Sequence, residues 1–233
     1  VSDPIDQAGV DILSQVAQVD QRPGLSPEEL VSVIGDYDGL MIRSGTQVTA
    51  EVIAAASKLK IIGRAGVGVD NVDVPAATQR GVLVVNSPEG NTIAAAEHAL
   101  AMMLSLSRHV PQAHAGMRAG KWDRKKYVGN ELYKKTLGVV GLGKIGSHVA
   151  RVARAMGMEV IAYDPFIAAD RAQQMQVRLT ELDELFRTAD YVTLHIPRTK
   201  DTENLVNAEL LRTMKPTARI VNCARGGVVD EAA

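Results

Sequence analysis

Short apolar runs alternate with amphipathic segments along the first third of the chain. Apolar side chains recur at helical spacing after Ser26-Pro27 and after Thr49, and both patterns are typical of helix N-termini. A further short helix is predicted over residues 74–80. Aliphatic runs between these helices predict strands over residues 39–42, 59–62 and 82–85. The resulting order is a repeated β-α-β pattern, which favours a parallel sheet.

The turn-forming cluster Asn-Ser-Pro-Glu-Gly-Asn at residues 86–91 is the clearest break in this pattern. It predicts two domains, residues 1–88 and residues 89–233. After the break we expect a long apolar helix over residues 92–109, then a polar, basic loop with one short helix over residues 116–135. A second β-α-β series is predicted from Thr136, with strands near residues 137–140, 159–163, 189–197 and 218–222.

Composition narrows the fold class and the partners. Hydrophobic residues make up 46% of the chain but aromatic residues only 3%, so strands covered by helices, an α/β fold, are favoured over a β-sandwich. The 26 Lys and Arg balance 27 Asp and Glu, a net charge of −1, which argues against a nucleic-acid or membrane-surface partner. The apolar stretch at residues 99–107 is shorter than the roughly 20 residues that span a bilayer. Cys223, the single cysteine, excludes an internal disulfide and fits a cytoplasmic location.

One glycine-rich motif carries the strongest chemical signal. Gly141, Gly143 and Gly146 form a GxGxxG pattern that follows a predicted strand and opens a predicted helix. The first glycine permits a tight turn, the second lets the backbone approach a pyrophosphate, and the third permits close packing of helix on strand. The first amides of the helix, at Lys144 and Ile145, are expected to bind that anion.

Residues at the ends of the following strands complete the predicted site. Asp164 ends the next strand, close to the spacing of about 20 residues expected for the acid that binds the adenosine ribose. A carboxylate there repels a 2′-phosphate, so NAD is predicted rather than NADP. Ile196 and the run Cys223-Ala224-Arg225 follow two later strands and are expected beside the cofactor. Arg225 is suited to bidentate pairing with a carboxylate, and an ordinary surface ion pair is the alternative. No metal site is predicted.

Four segments together resemble the D-isomer-specific 2-hydroxyacid dehydrogenase family over nearly the whole chain. They are residues 64–73, residues 120–126 (Gly-Lys-Trp-Asp-Arg-Lys-Lys), the glycine motif, and residues 221–231. The resemblance implies two doubly wound parallel-sheet domains, a flavodoxin-like substrate domain and a Rossmann NAD domain, with a cleft between them. It implies oxidation of a 2-hydroxy acid by hydride transfer to NAD. The Arg-Lys-Lys run is more specific to the branch that oxidises D-3-phosphoglycerate to 3-phosphohydroxypyruvate, the first step of L-serine biosynthesis.

The resemblance also assigns roles to single residues. Arg225 matches the family's catalytic Arg, which holds the substrate carboxylate and polarises the carbonyl. Val67 matches a cofactor-lining position, often Thr. Arg43 and the segment Arg64-Ala65-Gly66 match substrate contacts. Arg124 and Lys126 are candidates for binding the substrate phosphate across a homodimer or homotetramer contact, with a solvated basic loop as the alternative.

The family's acid–base pair of Glu and His lies in Glu-Glu-Pro and Pro-His-Leu-Gly segments, which do not occur before Ala233. We therefore expect an incomplete chain that binds NAD without turnover, with residues 1–4 ending a first strand and Ala233 inside a helix that opens after Arg225. His195 is interpreted as structural. Two alternatives stay open: a related reductase acting on glyoxylate, hydroxypyruvate or D-lactate, and a non-catalytic, NAD-sensing corepressor of the same fold.

Overall fold

The computed structural model describes residues 1–233 and divides into two compact units, Val1–Asn91 and Thr92–Ala233. These are unit 1 and unit 2. Both contain parallel sheets flanked by helices, which agrees with the predicted α/β class. None of the helices combines the length and the apolar character that crossing a membrane requires.

Unit 1 contains a three-stranded parallel sheet in the order β1-β2-β3. Leu40 pairs with Ile62, and Ile62 pairs with Val84, so the three strands are in step across the sheet. The elements are the strands β1 (Gly39–Ile42), β2 (Ile61–Arg64) and β3 (Leu83–Asn86), the helices α1 (Gln7–Ser14), α2 (Pro27–Val33), α3 (Ala50–Ala55) and α4 (Val74–Gln79), and a 3₁₀ turn at Ile34–Asp36.

The helices of unit 1 begin at polar caps. Ser26 and Glu29 form a capping box at α2, in which each side chain accepts a hydrogen bond from the other residue's backbone N–H. The Thr49 hydroxyl accepts from the Val52 N–H at the start of α3. The helix starts predicted at Ser26 and Thr49 are therefore confirmed, because a side-chain acceptor replaces the missing intrahelical partner.

The first residues do not form the strand end that the sequence predicted. The Ser2 N–H donates to the Met41 carbonyl at 3.1 Å, but no ladder continues from it. Pro4 has no N–H to extend a ladder, and Asp3 turns its carboxylate onto the Arg43 N–H at 2.6 Å. Ser2 and Asp3 are therefore buried polar residues, and Asp3 holds the loop that follows β1.

Unit 2 contains a five-stranded, fully parallel sheet in the order β6-β5-β4-β7-β8. The chain steps outward from β4 to β6 and then returns to the other side of β4, which is the Rossmann strand order with its switch point between β4 and β7. Its strands are β4 (Thr136–Val140), β5 (Glu159–Tyr163), β6 (Arg178–Leu179), β7 (Tyr191–Leu194) and β8 (Arg219–Asn222); its helices are α5 (Thr92–Arg108), α6 (Val110–Arg118), α7 (Lys144–Ala155), α8 (Ala169–Gln174), α9 (Leu182–Thr188) and α10 (Ala208–Thr213), with a 3₁₀ turn at Arg124–Tyr127.

The central strands of unit 2 are buried on both faces. Along β4, Leu137 and Val139 pack into one hydrophobic cluster, whereas Val140 packs into a second cluster on the other side. All four residues of β7 are buried. A parallel sheet covered by helices on both faces requires such continuous aliphatic strands, which is why their sequence pattern is an apolar run rather than an alternation.

Two stretches of unit 2 differ from the sequence prediction. His109 adopts a left-handed conformation (φ 53°) that ends α5, and Pro111 stands in the first turn of a separate helix, α6. The loop predicted from residue 116 therefore begins inside a helix. The helix predicted after Arg225 is wrong: the Val206 N–H donates to the Val228 carbonyl at 3.1 Å and the Asp230 N–H to the Val206 carbonyl at 3.0 Å, which holds this segment extended.

Asp190 ties together the amino-terminal edge of the unit 2 sheet. Its carboxylate accepts from the Thr136 N–H at 2.9 Å and from the Lys215 ammonium at 2.9 Å. Burial opposes ionisation, but these two donors outweigh it and lower the pKa of Asp190. The ionised Asp190 carboxylate therefore joins Thr136 to Lys215 at this edge of the sheet.

Candidate dinucleotide-binding site

Four strands of unit 2 end at one edge of the sheet, and each end delivers a predicted site residue. Because β4, β5, β7 and β8 are parallel, their carboxyl ends lie side by side. In open parallel sheets, ligands bind at this edge, at the point where the strand order reverses. The residues delivered there are the glycine loop 141–146 after β4, Asp164 after β5, Ile196 after β7, and Cys223, Ala224 and Arg225 after β8.

The three glycines of the loop meet different surroundings. Gly141 has φ 90° and donates its N–H to the Tyr163 carbonyl at 2.9 Å, and a Cβ there would lie 2.7 Å from the His195 carbonyl oxygen. A Cβ on Gly146 would overlap the carbonyl of Gly141. A Cβ on Gly143, in contrast, would meet nothing within 4 Å. Two glycines therefore permit the turn itself, and the third leaves open space beside the backbone.

Helix α7 starts at that open space. Its N-cap is Gly143, so no side chain occupies the capping position or accepts from the first turn. The helix is 12 residues long, and its N-terminus carries the positive end of the helix dipole. The Ser147 hydroxyl donates a hydrogen bond to the Leu142 carbonyl at 2.7 Å, which joins the first turn of α7 to the glycine loop. The residues present fit the pyrophosphate of a dinucleotide at this position.

Asp164 connects the end of β5 to the glycine loop. Its Oδ2 accepts from the Leu142 N–H at 2.7 Å, and its Oδ1 accepts from the Phe166 N–H at 2.9 Å. An ionised carboxylate offers about four acceptor positions, so two remain for the hydroxyls of a ribose. The same carboxylate can therefore hold the loop and bind the adenosine half of a cofactor.

The end of β7 borders the glycine turn. His195 donates its backbone N–H to the Val140 carbonyl at 2.8 Å, and its ring Nε2 lies 3.0 Å from the Thr193 hydroxyl. Burial lowers the pKa of His195 to about 4, so the ring is neutral at physiological pH. The half-buried Ile196 presents its Cγ2 methyl 2.7 Å from the position of a Cβ on Gly141.

The end of β8 forms a self-bonded turn. The Asn222 amide donates to the Arg225 carbonyl at 2.9 Å, and its Oδ1 accepts from the Ala224 N–H at 3.1 Å. The Arg225 guanidinium donates to the Ala224 carbonyl at 2.9 Å. Burial raises the pKa of the half-buried Cys223 thiol, which is therefore not activated as a nucleophile. Sequence reasoning did not identify Asn222 as the residue that shapes this turn.

The remaining predicted residues lie elsewhere in the chain. Arg43, Val67 and the segment 64–66 belong to unit 1, where Arg43 follows β1, Arg64 is the last residue of β2, and residues 65–67 follow it. Arg124 and Lys126 lie in the exposed connection between α6 and β4 of unit 2, in the 3₁₀ turn Arg124–Tyr127.

Fold and strand-end site together define a Rossmann-type dinucleotide-binding unit. Residues 100–233 match the model of the family described as "D-isomer specific 2-hydroxyacid dehydrogenase, NAD binding domain". The chain belongs to the D-isomer specific 2-hydroxyacid dehydrogenase family. This membership confirms the resemblance found in the sequence, and it confirms NAD as the cofactor.

Curated relatives cover the whole chain. D-3-phosphoglycerate dehydrogenase of Synechocystis sp. is 64% identical over 233 residues, which are 100% of this chain and 42% of that protein. The protein of the same name from Methanocaldococcus jannaschii is 50% identical over 234 residues, 100% of this chain and 45% of that protein. The chain thus spans less than half the length of these relatives.

Solved structures share the fold. The TT0316 protein of Thermus thermophilus aligns with a TM-score of 0.90 and 34% identity, over 99% of this chain and 75% of that one. D-lactate dehydrogenase from Aquifex aeolicus, complexed with NAD and lactic acid, aligns with a TM-score of 0.85 and 28% identity, over 97% of this chain and 69% of that one.

Proposed function

We propose that this chain forms the NAD-binding unit and part of the substrate-binding unit of a D-3-phosphoglycerate dehydrogenase. The reaction is the oxidation of D-3-phosphoglycerate to 3-phosphohydroxypyruvate, the first step of L-serine biosynthesis. The observation that carries the proposal is 64% identity, over all 233 residues, to the Synechocystis protein of that name. In this assignment residues 89–233 bind NAD and residues 1–88 face the substrate.

The residues at the carboxyl edge of unit 2 would hold the cofactor. The amides of Lys144, Ile145 and Gly146 at the start of α7 bind the pyrophosphate, and Gly143 leaves room for its approach. Asp164 binds the adenosine ribose through its remaining acceptor positions. Ile196, Cys223 and Ala224 line the neighbouring strand ends, and Val67 of unit 1 is assigned to the same cofactor. When bound, NAD supplies the acceptor for the hydride that leaves C2 of the substrate.

Arg225 would act on the substrate itself. A guanidinium binds the substrate carboxylate bidentately and stabilises charge on the oxygen at C2 as the carbonyl forms. The hydrogen bond from the Asn222 amide to the Arg225 carbonyl supports this role, because it fixes the backbone from which the guanidinium extends. Arg43, Arg64, Ala65 and Gly66 are proposed as further substrate contacts.

The proposed assembly is a homodimer or homotetramer in the cytoplasm. Several large apolar side chains are exposed on α5, α6 and the connection that follows, which supports burial against a second copy. They include Met102, Leu104, Leu106, Val110, Met117 and Trp122, the last being 72% exposed. Arg124 and Lys126 lie on the same connection, where their charge suits the substrate phosphate. The free thiol of Cys223 is suited to a reducing compartment.

The test is steady-state kinetics of the full-length enzyme and of its Arg225→Gln and Arg225→Lys variants. Arg225→Gln is expected to lower kcat/KM for 3-phosphoglycerate about 10²–10³-fold, and Arg225→Lys less, because a lysine keeps the charge without the fork. The matched control is Arg178→Gln, which removes an exposed arginine paired with Glu184 and should change kcat/KM less than about twofold.

Two results would contradict the proposal. Weak oxidation of 3-phosphoglycerate beside rapid reduction of glyoxylate or D-lactate formation from pyruvate would favour the related reductase. Calorimetric NAD binding by the full-length protein without turnover of any 2-hydroxy acid would favour the NAD-sensing corepressor.

A further inference from the structure

Two loops of unit 1 are joined by one buried amide. Residues 43–46 follow β1, and Asn71 lies in the loop that follows β2. Asn71 is only 9% exposed, which is unusual for a neutral polar residue in a loop. Burying an amide costs free energy unless its donors and acceptor form hydrogen bonds. The hydrogen-bond partners of Asn71 therefore identify the groups that it positions.

Each group of the Asn71 amide has a partner. Its Nδ2 donates one hydrogen bond to the Arg43 carbonyl at 2.7 Å and another to the Thr46 carbonyl at 2.6 Å. Its Oδ1 accepts from the Arg64 guanidinium Nε at 3.3 Å. The backbone of Asn71 is fixed as well, because its carbonyl accepts from the Val48 N–H at 2.8 Å.

Asp3 holds the same loop from the other side, and we call Asp3 and Asn71 together the clasp of unit 1. Its Oδ2 accepts from the Arg43 N–H at 2.6 Å and from the Thr46 N–H at 3.1 Å. The loop 43–46 is therefore held by its N–H groups through Asp3 and by its carbonyls through Asn71. Gly45 is required between them, because a Cβ there would lie 2.6 Å from Asp3 Oδ1.

The Arg64 guanidinium is confined on a second side by Gly66. A Cβ on Gly66 would overlap Nη1 of Arg64, so the guanidinium lies directly against that glycine. With Nε bound to Asn71 and the planar group resting on Gly66, Arg64 loses much of the rotamer freedom of an exposed arginine. An arginine restrained in this way binds an anion at a lower entropic cost.

We propose that Asn71 is a positioning residue for substrate recognition, which sets the Arg64 guanidinium and the loop of Arg43 for an anionic 2-hydroxy acid. The inference rests on the proposed function of Arg43 and Arg64 as substrate contacts. Asparagine suits the position because it supplies two donors and one acceptor from one planar group. Aspartate would turn lone pairs toward two carbonyl oxygens, and alanine would leave both carbonyls and Arg64 without this partner.

The experiment compares Asn71→Ala with wild type in the full-length enzyme. The substrate is whichever of 3-phosphoglycerate, hydroxypyruvate and glyoxylate the wild type turns over fastest, so failure of the proposed function appears in wild type and failure of this inference only in the variant. Asn71→Ala is expected to raise KM for that acid about tenfold while kcat stays within about threefold and KM for NAD within about twofold.

A double-mutant cycle tests the route through Arg64. Arg64→Lys keeps the charge but lacks Nε, and in that background Asn71→Ala should raise KM less than about threefold. The stability control is Ser26→Ala, which removes the capping box of α2 in the same unit and should leave KM unchanged.

Hydrogen exchange supplies a readout apart from turnover. The peptide covering residues 43–46 should exchange faster in Asn71→Ala, with the strands of unit 2 unchanged. Unchanged KM, whether or not exchange accelerates, would overturn the proposal and leave Asn71 a structural residue. A full tenfold effect persisting in the Arg64→Lys background would also overturn it. If Asn71→Ala does not fold, Asn71→Ser takes its place, because it also removes the hydrogen bonds to the Arg43 and Thr46 carbonyls and to Arg64, and unchanged KM in that variant contradicts the proposal.

Discussion

The loops that follow the strands of the two units are held by opposite means. In unit 2 the glycine loop depends on missing side chains, because a Cβ on Gly146 would overlap the Gly141 carbonyl and Gly143 faces open space. In unit 1 the loop 43–46 depends on side chains that are present and buried, those of Asp3 and Asn71. The glycines of unit 2 thus leave the protein backbone accessible to a ligand. The loop 43–46 is instead held by hydrogen bonds with the buried side chains of Asp3 and Asn71.

The first and largest expected effect tests the requirement for empty space. Gly146→Ala should abolish measurable NAD binding and destabilise unit 2 by about 1–3 kcal/mol, because the new methyl group forces the turn and α7 apart. Gly143→Ala should weaken NAD binding about a hundredfold with little change in stability, since its methyl group meets no protein atom. Calorimetric titration with NAD and thermal unfolding measure the two quantities.

This matched pair separates folding from binding. Both variants add the same methyl group to the same loop, and only its surroundings differ. If Gly143→Ala bound NAD as tightly as wild type, the open space beside the N-terminus of α7 would not be where the pyrophosphate lies. Equal destabilisation by both substitutions would contradict the distinction between a packing glycine and a binding glycine.

The glycine loop was predictable because its constraints are local. A positive φ at Gly141 and close packing at Gly146 arise within six residues, and β4, the strand that precedes them, is a continuous apolar run. Asp164 was predictable from spacing for the same reason, since one helix and one strand separate it from the loop. What sequence alone did not indicate was that the Asp164 carboxylate accepts a hydrogen bond from the Leu142 N–H.

The clasp of unit 1 was not predictable, since its bonds join distant parts of the chain. Asp3 and Arg43 are 40 residues apart, and Asn71 and Arg43 are 28 apart, so no local pattern marks them. Residues 226–233 were wrongly predicted as a helix for a similar reason, because their backbone pairs with Val206. The break between α5 and α6 carried a local signal in Pro111 that could have been used.

The second prediction compares the two aspartates that anchor the loops. Asp3→Ala should lower the free energy of unfolding of unit 1 by about 2–3 kcal/mol, because two backbone N–H groups lose a buried acceptor. Asp164→Ala also removes two acceptor bonds, but from a half-exposed site that water can reach, so about 1 kcal/mol is expected in unit 2.

Native-state hydrogen exchange, resolved by unit, measures both losses in one experiment. Asp3→Asn is the control, since its carbonyl oxygen can still accept from both N–H groups, and it should recover most of the stability. Equal losses in Asp3→Ala and Asp164→Ala would contradict the view that burial distinguishes the two anchors.

The smallest effect expected concerns pH and the neutral ring beside the glycine turn. His195 titrates near 4 in the folded chain because of burial, against about 6.5 when unfolded, so the unfolded state binds the extra proton first. Stability is therefore lost as pH falls from about 6.5 toward 4, by about 1 kcal/mol between about pH 7.5 and about pH 5.5. His195→Gln has no such proton to bind and can still bond the Thr193 hydroxyl. The measurement is the denaturant midpoint of wild type and of His195→Gln across this pH range. The other four histidines of the chain are present in both proteins, so the difference between the two midpoints isolates His195. If the midpoints of both proteins changed with pH in parallel, the ring would not be buried as a neutral group.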